Sequence, residues 1–221
     1  HRIVPSPEVA DYTKTPEMSA AGVARAAIEA LEEPTYDLIA VNFVNVDVVG
    51  HIEDHDAVLR AVEAVDRRVG EVVRAAQAHG VTPIVTADHG TVESWLYPDG
   101  MVDTGHTDSP APFIIADPKL KGTALREGYS LTDVAPTVLH LLGLPKPEEM
   151  TGRSLLPEAV SRGGRRVLLI IADGWGARDD PYGNMIMEAE TPMMDALQRE
   201  WPTTRLEAAG EAVGRPPGTV G

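Results

Sequence analysis

Six residues of the chain have side chains that are common metal ligands, and they stand where apolar runs end or in a nearby loop. They are Asp47, His51, Asp88, His89, His106 and Asp173. Carboxylate and imidazole groups without thiolates suit Mn²⁺, Zn²⁺, Fe²⁺ or Co²⁺, whereas Mg²⁺ is less suited to imidazole. This combination of residue types predicts a metal site.

The spacing of these residues bears on how many ions they would hold. Asp47 and His51 are four residues apart, so in a helical turn both side chains lie on one face and can bind one ion. Asp88 and His89 are adjacent, so at the end of an extended strand they would point in different directions and could serve two ions. Two ions about 4 Å apart form a clamp for phosphoryl transfer, in which one activates the nucleophile and both stabilise charge on oxygen.

Each residue also has a simpler interpretation. An isolated aspartate after a strand is more often a helix cap or a turn residue, and an isolated histidine more often lies in the core or on the surface. We interpret His55, His79 and His140 in that simpler way. Three aspartates that end three separate strands, with three histidines nearby, favour metal binding over coincidence.

The strands that would position these residues are predicted by four apolar runs. They cover residues 36–47, 81–90, 111–117 and 165–176. Their nearly continuous Leu, Ile and Val content is typical of central strands in a parallel sheet that is covered on both faces. Functional residues of open parallel sheets gather where the strands end, which is where the three aspartates stand.

Helices are predicted between and beside these strands. Valines recur with a helical period from Val58 to Val72, and the runs 18–32 and 130–142 also suit helices. Candidate caps and stops are Ser19, Gly80, the pair Ser130 and Asp133, Gly143, and Thr191 followed by Pro192. A strand, a helix and a further strand in succession indicate a βαβ unit. This order of elements predicts an α/β layer fold.

Composition excludes several classes of protein. The 221 residues are 43% hydrophobic, enough for one large domain, and the formal net charge of −15 argues against a nucleic-acid partner. The absence of cysteine excludes disulfides, thiolate metal sites and a cysteine nucleophile, and it fits a cytoplasmic location. No apolar run approaches the ~18 residues that span a bilayer. We therefore expect a soluble, cytoplasmic monomer that binds no membrane.

Longer segments of the chain carry a family resemblance. They include RIVPSPEVADYTKTPEMSA, VNFVNVDVVGH, TADHGTVE, GHTDSPAPFI, SLTDVAPTVLHLLGLPKPEEMTGRSLL, VLLIIADGWG and TRLEAAGEAVGRPPGTVG. Together they resemble the cofactor-independent (2,3-bisphosphoglycerate-independent) phosphoglycerate mutases of the alkaline phosphatase superfamily. The resemblance implies an alkaline-phosphatase-like three-layer αβα sandwich with a mostly parallel central sheet.

The order of these segments differs from the family pattern. In the family the DGWG segment is near the amino terminus, the ADHG segment is near the carboxyl terminus, and a phosphotransferase domain lies between them. Here residues 1–155 resemble the family's C-terminal portion, 156–166 read as a short polar linker, and 167–221 resemble its N-terminal portion. The resemblance thus implies one circularly permuted metal-binding domain, with the phosphotransferase domain absent from this chain.

The resemblance also implies roles for the candidate ligands. One Mn²⁺ would be held by Asp47, His51 and His106, and the other by Asp88, His89 and Asp173, with Zn²⁺, Co²⁺ or Mg²⁺ as alternatives. The family's nucleophilic serine would lie just beyond Gly221, so we expect no catalytic residue within these 221 residues and no activity from them alone.

The implied activity is the glycolytic interconversion of 3- and 2-phosphoglycerate through a phosphoserine. Neighbours of the ligands depart from the family, since Thr91 stands in place of an asparagine and Val46 in place of a proline. Such neighbours shape a substrate pocket. Two alternatives therefore stay open: a metal-dependent phosphohydrolase or phosphotransferase acting on another phosphorylated or phosphonylated small acid, and a non-catalytic metal-binding domain.

Overall fold

The computed structural model describes residues 1–220, which form one six-stranded sheet flanked by helices. The strands are β1 (Leu38–Phe43), β2 (Thr82–Thr86), β3 (Ala111–Ile115), β4 (Tyr129–Ser130), β5 (Val167–Ala172) and β6 (Thr203–Glu207). The helices are α1 (Ala20–Glu32), α2 (Asn45–Gly50), α3 (His55–Ala78), α4 (Val134–Leu142), α5 (Met185–Glu188) and α6 (Pro192–Glu200). The predicted α/β fold is confirmed.

The sheet is mixed but mostly parallel, in the order β1-β5-β2-β3-β6-β4. Strand β5 lies between β1 and β2 and is parallel to both, and β4 is parallel to β6. Strand β3 is antiparallel to β2 and to β6. Between β2 and β3 the chain forms only one short 3₁₀ helix, Val92–Ser94, so no long crossover helix returns it for a parallel pairing.

The expectation that every apolar run forms a strand covered on both faces is wrong for β1. This strand is at one end of the sheet order, and its side chains alternate between exposed and more buried positions. Leu38 is 45% exposed, whereas every residue of β2 and β3 is buried. The apolar composition of β1 matches that of a central strand, so composition alone could not distinguish the two positions.

Two hydrophobic cores lie on opposite faces of the sheet. Val85 and Ile114 belong to the core that includes α1, α3 and α6, while Ile84 and Phe113 belong to the core that includes α4. Neighbouring residues of a strand point to opposite faces, so each of these pairs of neighbours contributes to both cores. Helices therefore cover both faces, in three layers.

The predicted helix signals were correct at most positions. Ser130 and Asp133 form a capping box at the 3₁₀ turn that leads into α4, and Gly143 ends α4 in the left-handed conformation with φ 78°. Ser19 does not cap α1, because its hydroxyl donates to the carbonyl oxygen of Pro5 at 2.6 Å. Within residues 1–220 no helix is both long and apolar enough to cross a lipid bilayer.

The segment predicted as a linker is anchored at both ends. Leu156 is buried in the core beside α4. The guanidinium of Arg166 donates to the backbone carbonyl oxygens of Leu31, Glu33 and Tyr36. Arg166 thus ties the start of β5 to the segment between α1 and β1.

Candidate metal centre

The six predicted ligands are brought together at one edge of the sheet. Asp47 lies in α2 directly after β1, Asp88 and His89 follow β2, and Asp173 follows β5. These three strands are parallel neighbours, so their carboxyl ends meet at the same edge. His51 ends α2, and His106 lies in the loop between β2 and β3.

One carboxylate oxygen of Asp47 faces three imidazoles. Its Oδ1 atom lies 3.2 Å from Nε2 of His51, 3.1 Å from Nε2 of His106 and 3.8 Å from Nε2 of His89. The helical spacing of Asp47 and His51 thus has the predicted effect. The other ring nitrogen of His51, Nδ1, lies 2.5 Å from the carbonyl oxygen of Thr104. Because a carbonyl can only accept, Nδ1 carries the proton and Nε2 presents its lone pair to the cluster.

A second group forms around His89. Its Nε2 atom lies 3.4 Å from Oδ1 of Asp173 and 3.6 Å from Oδ2 of Asp88. The expectation that Asp88 and His89 diverge is wrong, because the chain bends after β2 and both side chains reach the same cluster.

Two triplets of ligand atoms lie close enough to hold an ion each. In each triplet all three atoms lie within 4.8 Å of one another. They are Asp47, His51 and His106 in one, and Asp47, His89 and Asp173 in the other. Asp47 is common to both, and Asp88 lies beside the second.

Close backbone packing holds the candidate ligands in place. The N–H of Asp47 donates to the carbonyl oxygen of Asp173 at 3.2 Å. Gly174 has φ +79°, and a Cβ there would lie 2.9 Å from the N and Cα atoms of Asp47. Only glycine adopts this conformation at low cost and leaves room for Asp47. The rings of His89 and His106 stack with their centroids 3.9 Å apart.

The cluster concentrates negative charge without a cationic side chain to balance it. Among residues 1–220, Asp47, Asp88 and Asp173 form ion pairs with histidines and with no lysine or arginine. Burial, together with the charges of Asp88 and Asp47, raises the pKa of Asp173 to about 6, although the Asn42 amide that donates to it acts in the opposite direction. Burial and the neighbouring His89 lower the pKa of His106. The raised pKa of Asp173 is the shift expected where a bound cation would balance the charge, and the lowered pKa of His106 favours the neutral imidazole, the form that binds a metal.

We expect Asp173→Asn to stabilise the metal-free protein at pH 8, by about 1–3 kcal/mol. The native pKa of Asp173, about 6, is above its ordinary value of 3.8. Between these two pH values the native state therefore holds a proton that the unfolded state releases. The stability that this proton contributes is fully present below pH 3.8 and is lost as the pH rises through 6. Urea unfolding in EDTA at pH 5 and pH 8 measures the effect, which should be smaller at pH 5.

Asp179→Asn is the matched control for this pH effect. Hydrogen bonding and the charge of Arg205 lower the pKa of Asp179, so its replacement should destabilise the protein at pH 8. A metal-free Asp173→Asn variant that is less stable than the parent at pH 8 would contradict the charge repulsion described for the cluster.

Glu93 is a buried residue of this site that the sequence analysis missed. Its carboxylate accepts hydrogen bonds from the N–H of Thr91, at 2.9 Å, and from the hydroxyl of Thr107. A Cβ at Gly90 or Gly176 would collide with the same carboxylate. Glu93 thus connects the loops that carry His89 and His106 with the segment after β5. Acidic residues are common in loops, so no local pattern distinguishes this one.

We expect Glu93→Gln to lower the free energy of unfolding by about 1–2 kcal/mol, because one acceptor oxygen becomes a donor inside the protein. Affinity for Mn²⁺ should fall about 10- to 100-fold, as for residues that orient metal ligands. Urea unfolding and Mn²⁺ titration measure the two effects. Glu53→Gln, at an exposed position in the same region, should change neither; equal effects from both variants would exclude an orienting role for Glu93.

Comparison with known proteins identifies relatives of this chain. A model of the metalloenzyme superfamily matches residues 1–146 and 165–221. The 2,3-bisphosphoglycerate-independent phosphoglycerate mutase of Moorella thermoacetica is 46% identical over 154 residues, which are 70% of this chain and 29% of that protein. The protein of the same name from Pseudomonas putida is 46% identical over 158 residues, covering 71% of this chain and 30% of the relative.

A solved structure agrees with these matches. The Leishmania mexicana phosphoglycerate mutase, crystallised at low cobalt concentration, superimposes with a TM-score of 0.61 at 33% identity. The match covers 71% of this chain and 31% of that one. The chain thus spans about three tenths of the length of the relatives it matches. Because the superfamily model matches nearly the whole sequence, the chain belongs to the metalloenzyme superfamily.

Proposed function

We propose that this chain is the metal-binding part of a dimetal isomerase of the phosphoglycerate mutase type, which interconverts 3- and 2-phosphoglycerate. The observation that carries the proposal is the convergence of three carboxylates and three imidazoles at one sheet edge, with Asp47 shared between two triplets. The sequence identity to 2,3-bisphosphoglycerate-independent phosphoglycerate mutases supports a small phosphorylated acid as the class of substrate.

The donor set fits two ions of the Mn²⁺ type. Oxygen and imidazole nitrogen donors without thiolates suit Mn²⁺, with Zn²⁺ or Co²⁺ as alternatives and Mg²⁺ less suited to the imidazoles. We assign one ion to Asp47, His51 and His106, and the other to Asp88, His89 and Asp173. When bound, such ions lower the pKa of a hydroxyl nucleophile and offset the charge of a phosphoryl group.

The residues of this chain hold the two ions and orient the imidazole rings that bind them. The carbonyl oxygens of Thr104 and Gly90 accept from Nδ1 of His51 and His89, which leaves Nε2 of each ring free to face the centre. The nearby Thr91 hydroxyl lies 3.4 Å from Asp47, but Thr91 is completely buried and so poorly placed for a nucleophile. We assign the nucleophilic serine to the part of the relatives that this chain does not span.

We further propose that residues 1–155 and 167–221 are two segments of one domain joined in exchanged order through the linker 156–166. Two observations support this. The superfamily match breaks between residues 146 and 165, and β5 pairs along its length with both β1 and β2. Cleavage at a protease site inserted after Glu158 should leave the two pieces associated on a size-exclusion column; their separation would contradict a single domain.

A chimera tests the proposed activity most directly. Residues of this chain would replace the matching segments of the Moorella thermoacetica relative, which supplies the remainder of that protein. We expect Mn²⁺-dependent conversion of 3- to 2-phosphoglycerate, and no conversion by this chain alone. Release of inorganic phosphate without 2-phosphoglycerate would instead indicate a phosphohydrolase. A folded, Mn²⁺-binding chimera without turnover would indicate a domain that binds metal and does not catalyse.

A further inference from the structure

A cavity of about 540 Å³ lies away from the candidate metal centre. It is bounded by α4 and by the segment 153–162, which leads into the amino end of β5, whereas Asp173 follows the carboxyl end of that strand. No metal-ligand candidate lines it. Its volume is in the range of about 300–1,000 Å³ that is usual for small-molecule sites.

Four cationic residues line this cavity. They are Arg126, Lys146, Arg153 and Arg162. Glu158 is the one acidic residue in the lining. Among residues 1–220, the guanidiniums of Arg126, Arg153 and Arg162 have no hydrogen-bond or ion-pair partner in the protein. In a chain with 34 acidic and 19 basic residues, so many unpaired cations at one cavity favour an anionic ligand.

A buried histidine in the cavity wall gives an independent indication. His140 is 5% exposed, and its Nε2 atom lies 3.0 Å from the carbonyl oxygen of Val160. Because that carbonyl can only accept, Nε2 carries the proton and Nδ1 is an acceptor. Nδ1 is buried and has no hydrogen-bond partner, which is rare for a buried polar atom. His140 lines the cavity, so this unsatisfied acceptor belongs to a residue of its wall.

The segment that carries Arg162 is held in place by the same residue. The carbonyl oxygen of His140 accepts from the N–H of Gly163, and Gly143 packs against Gly163 so closely that a Cβ on Gly143 would lie 2.7 Å from the Cα of Gly163. His140 and Gly143 thus hold residues 160–163 against α4. These contacts fix the backbone beside Arg162, whose side chain is exposed.

We propose that this cavity binds a small organic phosphate that carries a free hydroxyl group, at a site separate from the metal centre and additional to the proposed function. Guanidinium groups match phosphate oxygens with paired, charge-assisted hydrogen bonds. The ligand hydroxyl donates to Nδ1 of His140. Ser154 and Ser161 supply further hydroxyls, and the apolar side chains of Leu139 and Leu144 contact the carbon skeleton.

The test is a calorimetric titration of the metal-free chain in EDTA with glycerol 3-phosphate, at constant ionic strength. We expect saturable binding of one molecule per chain. The variant Arg126→Gln/Arg153→Gln should bind about tenfold more weakly or worse, since it removes two charged donors. Arg25→Gln, at an exposed position on α1 without a partner in residues 1–220, should bind like the parent. Circular dichroism would verify that the variants are folded. If the double variant is not folded, the single Arg126→Gln variant replaces it.

Inorganic phosphate is the second ligand in this experiment, because it lacks an organic hydroxyl and a carbon skeleton. It should bind more weakly than glycerol 3-phosphate. The proposal is overturned if no saturable binding occurs, if the double variant keeps the parent's affinity, or if Arg25→Gln weakens binding equally. Equal affinity for the two ligands would overturn the assigned role of His140.

Discussion

Asp47→Asn is expected to remove the ion assigned to Asp47, His51 and His106, with affinity for Mn²⁺ reduced more than about 100-fold, and to weaken binding of the second ion. Asp47 is common to the two ligand triplets, and its Oδ1 atom faces His51, His89 and His106. Asparagine has nearly the same shape but lacks the negative charge. Titration with Mn²⁺, followed by the electron paramagnetic resonance of the free ion, measures both sites at once.

Asp56→Asn is the matched control for this prediction. Asp56 is on the exposed side of α3, with a side chain 91% exposed, and it forms an ion pair with His55. It should bind Mn²⁺ like the parent. If Asp47→Asn still binds two ions with near-parental affinity, the ions do not depend on the centre described here.

Asp66→Ala is expected to lower the free energy of unfolding by about 2–4 kcal/mol. Asp66 is a completely buried residue of α3, yet it caps a different helix. Its Oδ1 accepts from the N–H of Met194 at 2.7 Å, and its Oδ2 accepts from the N–H of Met193 at 3.2 Å. These amides belong to the first turn of α6, whose own N-cap residue, Thr191, makes no capping hydrogen bond. Removal of the carboxylate leaves two amides without acceptors.

Urea unfolding of the metal-free protein measures this loss, and Glu71→Ala is the control. Glu71 lies on the same helix and pairs with Arg68 at the surface, where such pairs contribute about 0–1 kcal/mol. A loss for Asp66→Ala no larger than that for Glu71→Ala would mean that Asp66 does not hold α6. Since Gly70 packs directly against Met193, the contact between α3 and α6 otherwise rests on close apolar packing.

The parts of the fold that local chemistry determines could be predicted from the sequence. The capping box of Ser130 and Asp133 and the left-handed Gly143 depend on neighbouring residues, so their pattern is visible in the chain. Strand β6 was missed because only Thr204 and Leu206 are buried in it, and its partner β3 is distant in sequence. The edge position of β1 likewise depends on which strands pair, and composition does not report that.

The cluster of candidate metal ligands could be predicted only to the extent that the positions of strand ends predict it. Parallel strands bring their carboxyl ends together, so aspartates at those ends could be expected to meet. The shared role of Asp47 and the convergence of Asp88 with His89 depend on backbone turns after β1 and β2, which residue types do not specify. Glu93 was missed for a related reason, because its burial results from the packing of two loops and the segment after β5.

Anomalous diffraction at the manganese edge, from crystals soaked in Mn²⁺, would locate the two metal ions proposed at this sheet edge. We expect two anomalous peaks, one within bonding distance of Asp47, His51 and His106 and the other within bonding distance of Asp88, His89 and Asp173. Peaks elsewhere, or no peak at these residues in a folded protein, would contradict it.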